Sequence, residues 1–414
     1  MNRSVRCTLI LSVVAYFVML GVSLVSPILP LYALSFDVSL VMVGALISGF
    51  GIARLIMDVP TGMMVDRLGM KRFMLYGIAI VFISSIVCGL AVNYWMLLIG
   101  RVFEGVGSAM YSTTSFTCMG RIAPEEKRGK YMSFYLGMFI LGSVSGPAFG
   151  GYIGEVMGLA APFFFYAGTA AFCYLLIQLG VRESAFADAS GGRKNKVELQ
   201  QIKGLLKNYT FVAICVAIFA IFVGRMGVTS TLVPVHAYYG LGITATGLGI
   251  ILTLSALANF VIMMPAGSLT DRYGRKPFMF ASVFLSGLLV ILIPFAGDAA
   301  GFALVMIVLG FAFGLSGPII AWVTDISKGE QLGTAMGLFR TMSDAGFVVG
   351  PIVLTALPGT SEESVGFVPF VFAGAFLILA SVLLLWGKDP RGGGIRAKQV
   401  IGDRGILSRN DRDS

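Results

Sequence analysis

In a chain otherwise poor in charge, a few ionisable residues sit inside long apolar runs. Arg101 and Glu104 are three residues apart, and Arg54/Asp58 and Arg340/Asp344 are each four apart. On a helix, both spacings put the two side chains on one face. Arg225 has no acid within its own run. A charge in apolar surroundings is costly, so it marks a substrate or ion path, a proton relay, or a pair that offsets its own desolvation. A buried carboxylate beside an arginine can titrate, or it can hold an ion or a substrate. Glu104 and Asp344 are thus the candidates for proton coupling, and Arg101 and Arg225 the candidates for holding solute. Glu104 is expected to face a solvent-filled cavity. Against this stands a purely structural Arg101–Glu104 pair, and self-satisfied intrahelical pairs for the other two. Arg225 must find a partner on another element, in a water-filled cavity, or on an anionic substrate. His236, the only histidine, reads as a surface residue near the mouth of its run rather than a proton relay.

Other chemistries lack their residues. The five cysteines (Cys7, Cys88, Cys118, Cys173, Cys215) fall in or beside apolar runs without metal-ligand spacing, so no metal site is expected. There is no Walker loop, HExxH or GxSxG, which argues against an ATP-driven pump or a hydrolase. The chain is read as a non-enzyme with no resident cofactor, energised by a proton gradient.

The elements that must position these residues are membrane helices. The chain has 414 residues, of which 57% are hydrophobic and 12% charged; a soluble domain carries about 25% charged residues. A bilayer core about 30 Å thick needs about 20 apolar residues per helix. Spans are predicted at 8–33, 41–65, 73–92, 95–119, 131–154, 162–181, 209–233, 244–269, 277–297, 300–324, 333–357 and 367–387. The fold class is therefore all-α integral membrane, with twelve transmembrane helices in two six-helix halves, residues 1–181 and 209–387. Residues 182–208 form a polar linker, and 388–414 a Gly-rich, mixed-charge tail expected to be disordered. Within the linker, Val197, Leu199, Ile202, Leu205 and Leu206 recur at helical spacing among polar residues, which suggests a short amphipathic helix on the membrane surface; an ordinary loop is the alternative.

Orientation follows from the bases. Arg3, Arg6, Arg67, Lys71, Arg72, Arg121, Lys127, Arg128, Lys130, the linker bases, Arg272, Arg275, Lys276 and Lys328 all lie on the side of the termini. The opposite loops have no Lys or Arg and hold Asp37, Glu155, Asp298, Glu362 and Glu363 instead. Both termini are thus placed in the cytoplasm of a multi-pass protein of the cell membrane. This asymmetry accounts for the net charge of +9 without nucleic acid. The expected partners are membrane lipid and a small-molecule substrate, and the expected state is a monomer.

The halves repeat. Pro60-Thr61-Gly62-Met63-Met64-Val65-Asp66-Arg67-Leu68-Gly69-Met70-Lys71-Arg72 aligns with Pro265-Ala266-Gly267-Ser268-Leu269-Thr270-Asp271-Arg272-Tyr273-Gly274-Arg275-Lys276-Pro277 at an offset of 205. Gly129, Gly142, Gly146 and Pro147 match Gly333, Gly346, Gly350 and Pro351 at an offset of 204. Parallel repeats imply a two-fold-like axis along the membrane normal, with a substrate path between the halves.

On these residues the chain resembles the major facilitator superfamily over nearly its whole length, and within it the twelve-helix drug:proton antiporters. The Gly62…Asp66-Arg67…Gly69…Lys71-Arg72 loop is similar to the family signature between spans two and three. Leu97-Leu98-Ile99-Gly100-Arg101-Val102-Phe103-Glu104-Gly105-Val106-Gly107 resembles the fourth-span motif, with Glu104 where glutamine is common. Gly142…Gly146-Pro147…Gly150-Gly151 resembles the antiporter motif of span five, and Pro27-Ile28-Leu29-Pro30 the end of span one. One departure is that span one holds no acidic residue before Asp37.

The resemblance implies alternating access around a central cavity. It implies that the Asp66-Arg67 loop, and by repeat Asp271 and Arg272, holds the halves together when the cytoplasmic side is closed. It places spans two and eleven face to face. Asp58 and Arg340 are at similar heights above the cytoplasmic rim, so they are expected to meet across the halves in the outward-open state, with Arg54 and Asp344 completing a four-charge gate. The span-five glycines are expected at the inter-half boundary, where packing can rock or seal. The leading function is export of a small organic solute by proton exchange. Uptake by symport or uniport is the alternative, and a sensor that keeps the fold without transporting is the rival from another class.

Overall fold

The computed structural model describes residues 3–122, 128–181, 199–327, 331–360 and 364–389. Lipid offers the backbone no hydrogen-bond partners, so each apolar run closes its own bonds as a helix. The first half comprises α1 (Arg3–Leu24), α2 (Leu29–Leu34), α3 (Leu40–Leu68), α4 (Met70–Gly89), α5 (Tyr94–Ile122), α6 (Arg128–Met157) and α7 (Ala161–Gly180). After α8 (Leu199–Lys207), the second half begins with α9 (Tyr209–Phe222). It continues as a π-helix (Val223–Leu232), α10 (Val233–Val235) and a second π-helical turn (His236–Gly240). Then come α11 (Ala245–Tyr273), α12 (Lys276–Leu292), α13 (Ala299–Gly314), α14 (Ile319–Ile326), α15 (Gln331–Thr355) and α16 (Phe367–Leu384).

Eleven stretches of the described residues are long and apolar enough to cross a membrane. The twelfth span is α5, long enough but made more polar by Arg101, Glu104 and Ser112-Thr113-Thr114-Ser115. Three predicted spans are interrupted. Span one breaks at Val25–Ile28, where Pro27 cannot donate, and resumes as α2. Span ten breaks at 315–318, through Gly317-Pro318, between α13 and α14. Span seven widens into π-helix ahead of Pro234. Several helices also run past their predicted apolar limits: α3 to Leu68, α5 to Ile122 and α11 to Tyr273.

Gly69 (φ 85°) and Gly274 (φ 94°) end α3 and α11 in the left-handed region, so the repeated loop turns on a glycine in both halves. The linker helix is present as α8, with Leu205 buried and Lys203 and Lys207 exposed. Val197, the remaining linker, the acidic-loop residues Glu362 and Glu363, and the tail beyond Asp389 lie outside the described residues.

The halves meet along α3/α15 and α6/α11. The bonds that join them include Ser48 Oγ to the Val348 carbonyl (2.6 Å), the Ala148 amide to Thr253 Oγ1 (3.0 Å), and the Thr246 amide to Glu155 Oε2 (2.8 Å). All three lie toward the face carrying Asp37 and Asp298, here termed the acidic face. Close backbone approach accompanies them: a Cβ on Gly44 would stand 2.7 Å from the Pro351 carbonyl oxygen, and one on Gly151 2.2 Å from that of Ala245. Toward the opposite, basic face, Gly337 lies one turn from Arg340 on the same face of α15, yet a Cβ there meets nothing within 4 Å, as at Gly120, Gly129 and Gly333. Among the described residues, the bonds and close approaches between the halves are concentrated toward the acidic face, and room opens toward the basic face.

Candidate functional site

Four charged residues converge where that contact ends. Arg340 Nη2 on α15 donates to Asp58 Oδ2 on α3 at 2.7 Å, while its Nε stands 3.9 Å from Asp344 in its own helix. Thr113 of α5 donates to the other Asp58 oxygen at 2.7 Å. Arg54 is half-buried and acts electrostatically on both Asp58 and Asp344. The cluster of two arginines and two aspartates is neutral as a set and straddles the halves. It is not fully dry: the Arg340 side chain is 51% exposed and Asp344 24%. The cross-half bond is the shorter one, so these are not merely intrahelical pairs. The expected Asp58–Arg340 contact across the halves is thus present, with Asp344 and Arg54 beside it.

The second expected pair lies deeper. Arg101 donates to Glu104 Oε2, and Ser85 of α4 donates to Glu104 Oε1 at 2.8 Å. Glu104 is 0% exposed. The expectation that it faces the cavity is corrected: α5 turns it toward α4, inside the first half, because there Ser85 supplies a hydrogen bond that lipid cannot. Arg101 lies over the Phe50 ring, 4.5 Å from its centroid, and Arg54 lies 5.9 Å from the same centroid. Phe347 of the second half stacks on Phe50 at 6.2 Å. Phe50 is thus a shared aromatic contact of both arginines, each such contact being worth about 0.5–2 kcal/mol according to its desolvation.

Arg225 lies in the π-helix of span seven. A π-helix inside a span is rare and concentrates at functional sites; Thr231 Oγ1 follows its wide turn by donating to the Met226 carbonyl at 2.7 Å. Arg225 Nη2 donates to the Phe313 carbonyl at 3.3 Å. Asn259, in the amide orientation that satisfies both contacts, accepts from Nη2 at 2.9 Å and from the Gly314 amide at 3.3 Å. The guanidinium also covers the Phe313 ring, 4.9 Å from its centroid. Its Nε is buried without a partner, and among the described residues no carboxylate pairs with it. His236 is not the surface residue expected: it packs against Phe302 and Phe370 with Nε2 buried.

In its second copy the signature loop makes bonds within its own half. Asp271 pairs with Arg275 Nη2 at 2.8 Å within its own turn, and Arg272 lies over Tyr273. Buried Arg275 also reaches Asp325 of α14 at 3.1 Å and Thr270 at 2.9 Å. These bonds tie together spans of one half. In the first copy, the side chains of Asp66 and Arg67 lie outside the described residues, though α3 carries their backbone.

The span-five motif is also relocated. A Cβ on Gly142 would stand 2.2 Å from the Tyr16 carbonyl oxygen, one on Gly146 2.4 Å from Ser23 Cβ, and one on Gly150 1.8 Å from the Leu24 carbonyl oxygen. These glycines let α6 pack on α1 within the first half. Only Gly151, against Ala245, and the Pro147 carbonyl, which a Cβ on Gly249 would meet at 2.3 Å, touch the other half. Residues one and five positions along a helix face different neighbours, and spacing does not say which.

Sequence reasoning missed Ser85, Thr113, Phe50, Phe347 and Arg275 as site residues. The types are common in membrane helices, and only Arg275 carried a signal, as the base following the turn glycine Gly274.

Known proteins resemble this chain over nearly its full length. Multidrug resistance protein 2 of Bacillus subtilis is 25% identical over 382 residues, covering 90% of this chain and 92% of the relative. Quinolone resistance protein NorA of Staphylococcus aureus (strain COL) is 23% identical over 386 residues, covering 91% and 95%. Among solved structures, the nucleoside transporter NupG superposes with a TM-score of 0.73 at 16% identity, covering 93% of this chain and 98% of that one. The D-xylose-proton symporter does so with a TM-score of 0.72 at 18% identity, covering 95% and 99%. The model of the Major Facilitator Superfamily matches residues 11–247 and, again, 214–408. Two six-helix repeats meeting at a charged centre, matched in both halves by that model, make this chain a member of the Major Facilitator Superfamily, a multi-pass membrane transporter.

Proposed function

We propose that this transporter exports a small organic solute in exchange for protons, as a monomer of the cell membrane with both termini in the cytoplasm. The basic face is then cytoplasmic, and the structure corresponds to the inward-open state. The observation that carries the reading is the neutral Arg54–Asp58–Arg340–Asp344 cluster at the end of the inter-half contact. Protonating Asp58 or Asp344 removes a charge that faces Arg340, so proton binding and the grip of α3 on α15 are linked. The export direction rests on the names of the full-length relatives, which are resistance proteins. No bound cofactor enters this scheme, and the proton gradient supplies the work.

The test is flux in proteoliposomes under an imposed pH gradient, with a panel of labelled organic solutes. Loading the vesicles to match export should give proton-driven movement of solute against its gradient, and Asp344→Asn should remove the dependence on the proton gradient. Movement that ignores the gradient in the wild type makes the protein a uniporter. Co-directional movement of proton and solute makes it a symporter.

A further inference from the structure

From the surroundings of Arg225 we infer that the second half contains a subsite for an anionic group, so that the transported solute is an organic acid with an apolar or aromatic body. The inference rests on the transport reading and names its substrate class. Four observations meet here. Arg225 lies midway along span seven, at the depth where transporters of this architecture hold their substrates. It is half-buried, and its contacts are a carbonyl, an amide oxygen and an aromatic face, none of which neutralises it. The repeat shows what is lacking: Asn259 stands at the repeat position of Arg54, and Met263 at that of Asp58. The first half therefore supplies a carboxylate at this level, and the second supplies a thioether. The remaining central charges are already matched, with two arginines against two aspartates in the cluster and Arg101 against Glu104.

Among the described residues, the central region thus carries one uncompensated positive charge, held in place by partners that orient the guanidinium but leave donors to spare. Arginine has five N–H donors in a planar fork that suits a carboxylate or phosphate. A solute bringing that anion completes the pairing, whereas an ammonium meets like charge in a site of low dielectric. Phe313, Met226 and Met263, the last one turn beyond Asn259 on α11, would receive the apolar part. Export of a monoanion against an entering proton also moves both charges in the sense that a negative-inside membrane favours.

The experiment uses the full chain purified in detergent and three matched probes: 1-naphthoate, 1-naphthamide and 1-naphthylmethylammonium. Affinities are read by thermal shift and intrinsic fluorescence. The expected result is binding of 1-naphthoate about tenfold or more tighter than either analogue. Arg225→Gln should weaken 1-naphthoate by a similar factor and leave 1-naphthamide unchanged, with Arg225→Lys in between. Equal affinity for the three probes, a preference for the ammonium, or carboxylate binding that survives Arg225→Gln but is lost in Arg340→Gln overturns the subsite. If Arg225→Gln does not fold, the wild-type series and Arg225→Lys decide. Carboxylate-selective binding without proton-driven efflux overturns the export reading and leaves the subsite standing; efflux of cations with no carboxylate preference does the reverse.

Discussion

Arg340 reaches across from the second half to Asp58 of the first at 2.7 Å, closer than the 3.9 Å to Asp344 in its own helix. That preference makes the pair a joint between two bodies. Because Arg340 is 51% exposed, the joint is worth about 1 kcal/mol rather than the several expected of a dry pair. A double-mutant cycle of Asp58→Asn and Arg340→Gln, read by a fluorescent reporter of the inward-open fraction, should show coupling of about 1 kcal/mol. Additive single effects would mean that the two residues do not communicate.

Glu104 has a different expected role from the aspartates. It neutralises buried Arg101 inside the first half, so Glu104→Gln leaves a charge unpaired and should cost about 3 kcal/mol of stability. Replacing both, as Arg101→Met with Glu104→Leu, should recover much of that loss, because an apolar pair has no desolvation to offset. A melt of the three variants in detergent checks this. A Glu104→Gln protein that melts with the wild type would show that Arg101 is solvated by something else.

The span-five glycines should differ sharply among themselves. Gly150→Ala forces a methyl to 1.8 Å from the Leu24 carbonyl oxygen, so α6 must move off α1, at a cost of about 1–3 kcal/mol. Gly129→Ala in the same helix has open space and should be neutral in the same melting assay. Equal behaviour of the two would mean that α1 and α6 pack more loosely than described.

Orientation is checked with single cysteines in a background freed of the five buried native ones. Gly297 in the acidic-face turn and Gly129 at the basic face both have room for a side chain. In intact cells, an impermeant maleimide should label Gly297→Cys and should reach Gly129→Cys only after permeabilisation. The reverse pattern inverts the transporter and turns the described state outward-open.

Arg275 should prove more important than the exposed Asp271 that it pairs with. It is 5% exposed and joins the end of α11 to α14 through Asp325. Arg275→Ala is expected to cost about 3 kcal/mol, measured by thermal melt, because a buried side chain and its bonds to Asp325 and Thr270 are removed. Asp271→Asn should cost well under 1 kcal/mol. Similar losses for the two would place the weight of the loop on its aspartate.

Much of the architecture was legible without coordinates. Hydrocarbon imposes one local rule, that every run of about 20 apolar residues closes its own backbone bonds as a helix, so spans appear directly in hydropathy. Charge asymmetry between turns and the recurrence of Gly62…Asp66-Arg67…Gly69 at Gly267…Asp271-Arg272…Gly274 add the two-half plan. The four-residue spacings of Arg54/Asp58 and Arg340/Asp344 located the charged centre. What only the tertiary structure decided is the partner of each group. Glu104 turns to Ser85 on α4 and away from the cavity, Arg340 takes Asp58 over its helical neighbour, and Gly142, Gly146 and Gly150 face α1 rather than the other half. The reason is that a helix presents every side chain to some neighbour with the same period, and in an apolar slab no solvent marks an inside. Which neighbour is met depends on the rotation and tilt of packed helices, set jointly by contacts from both halves.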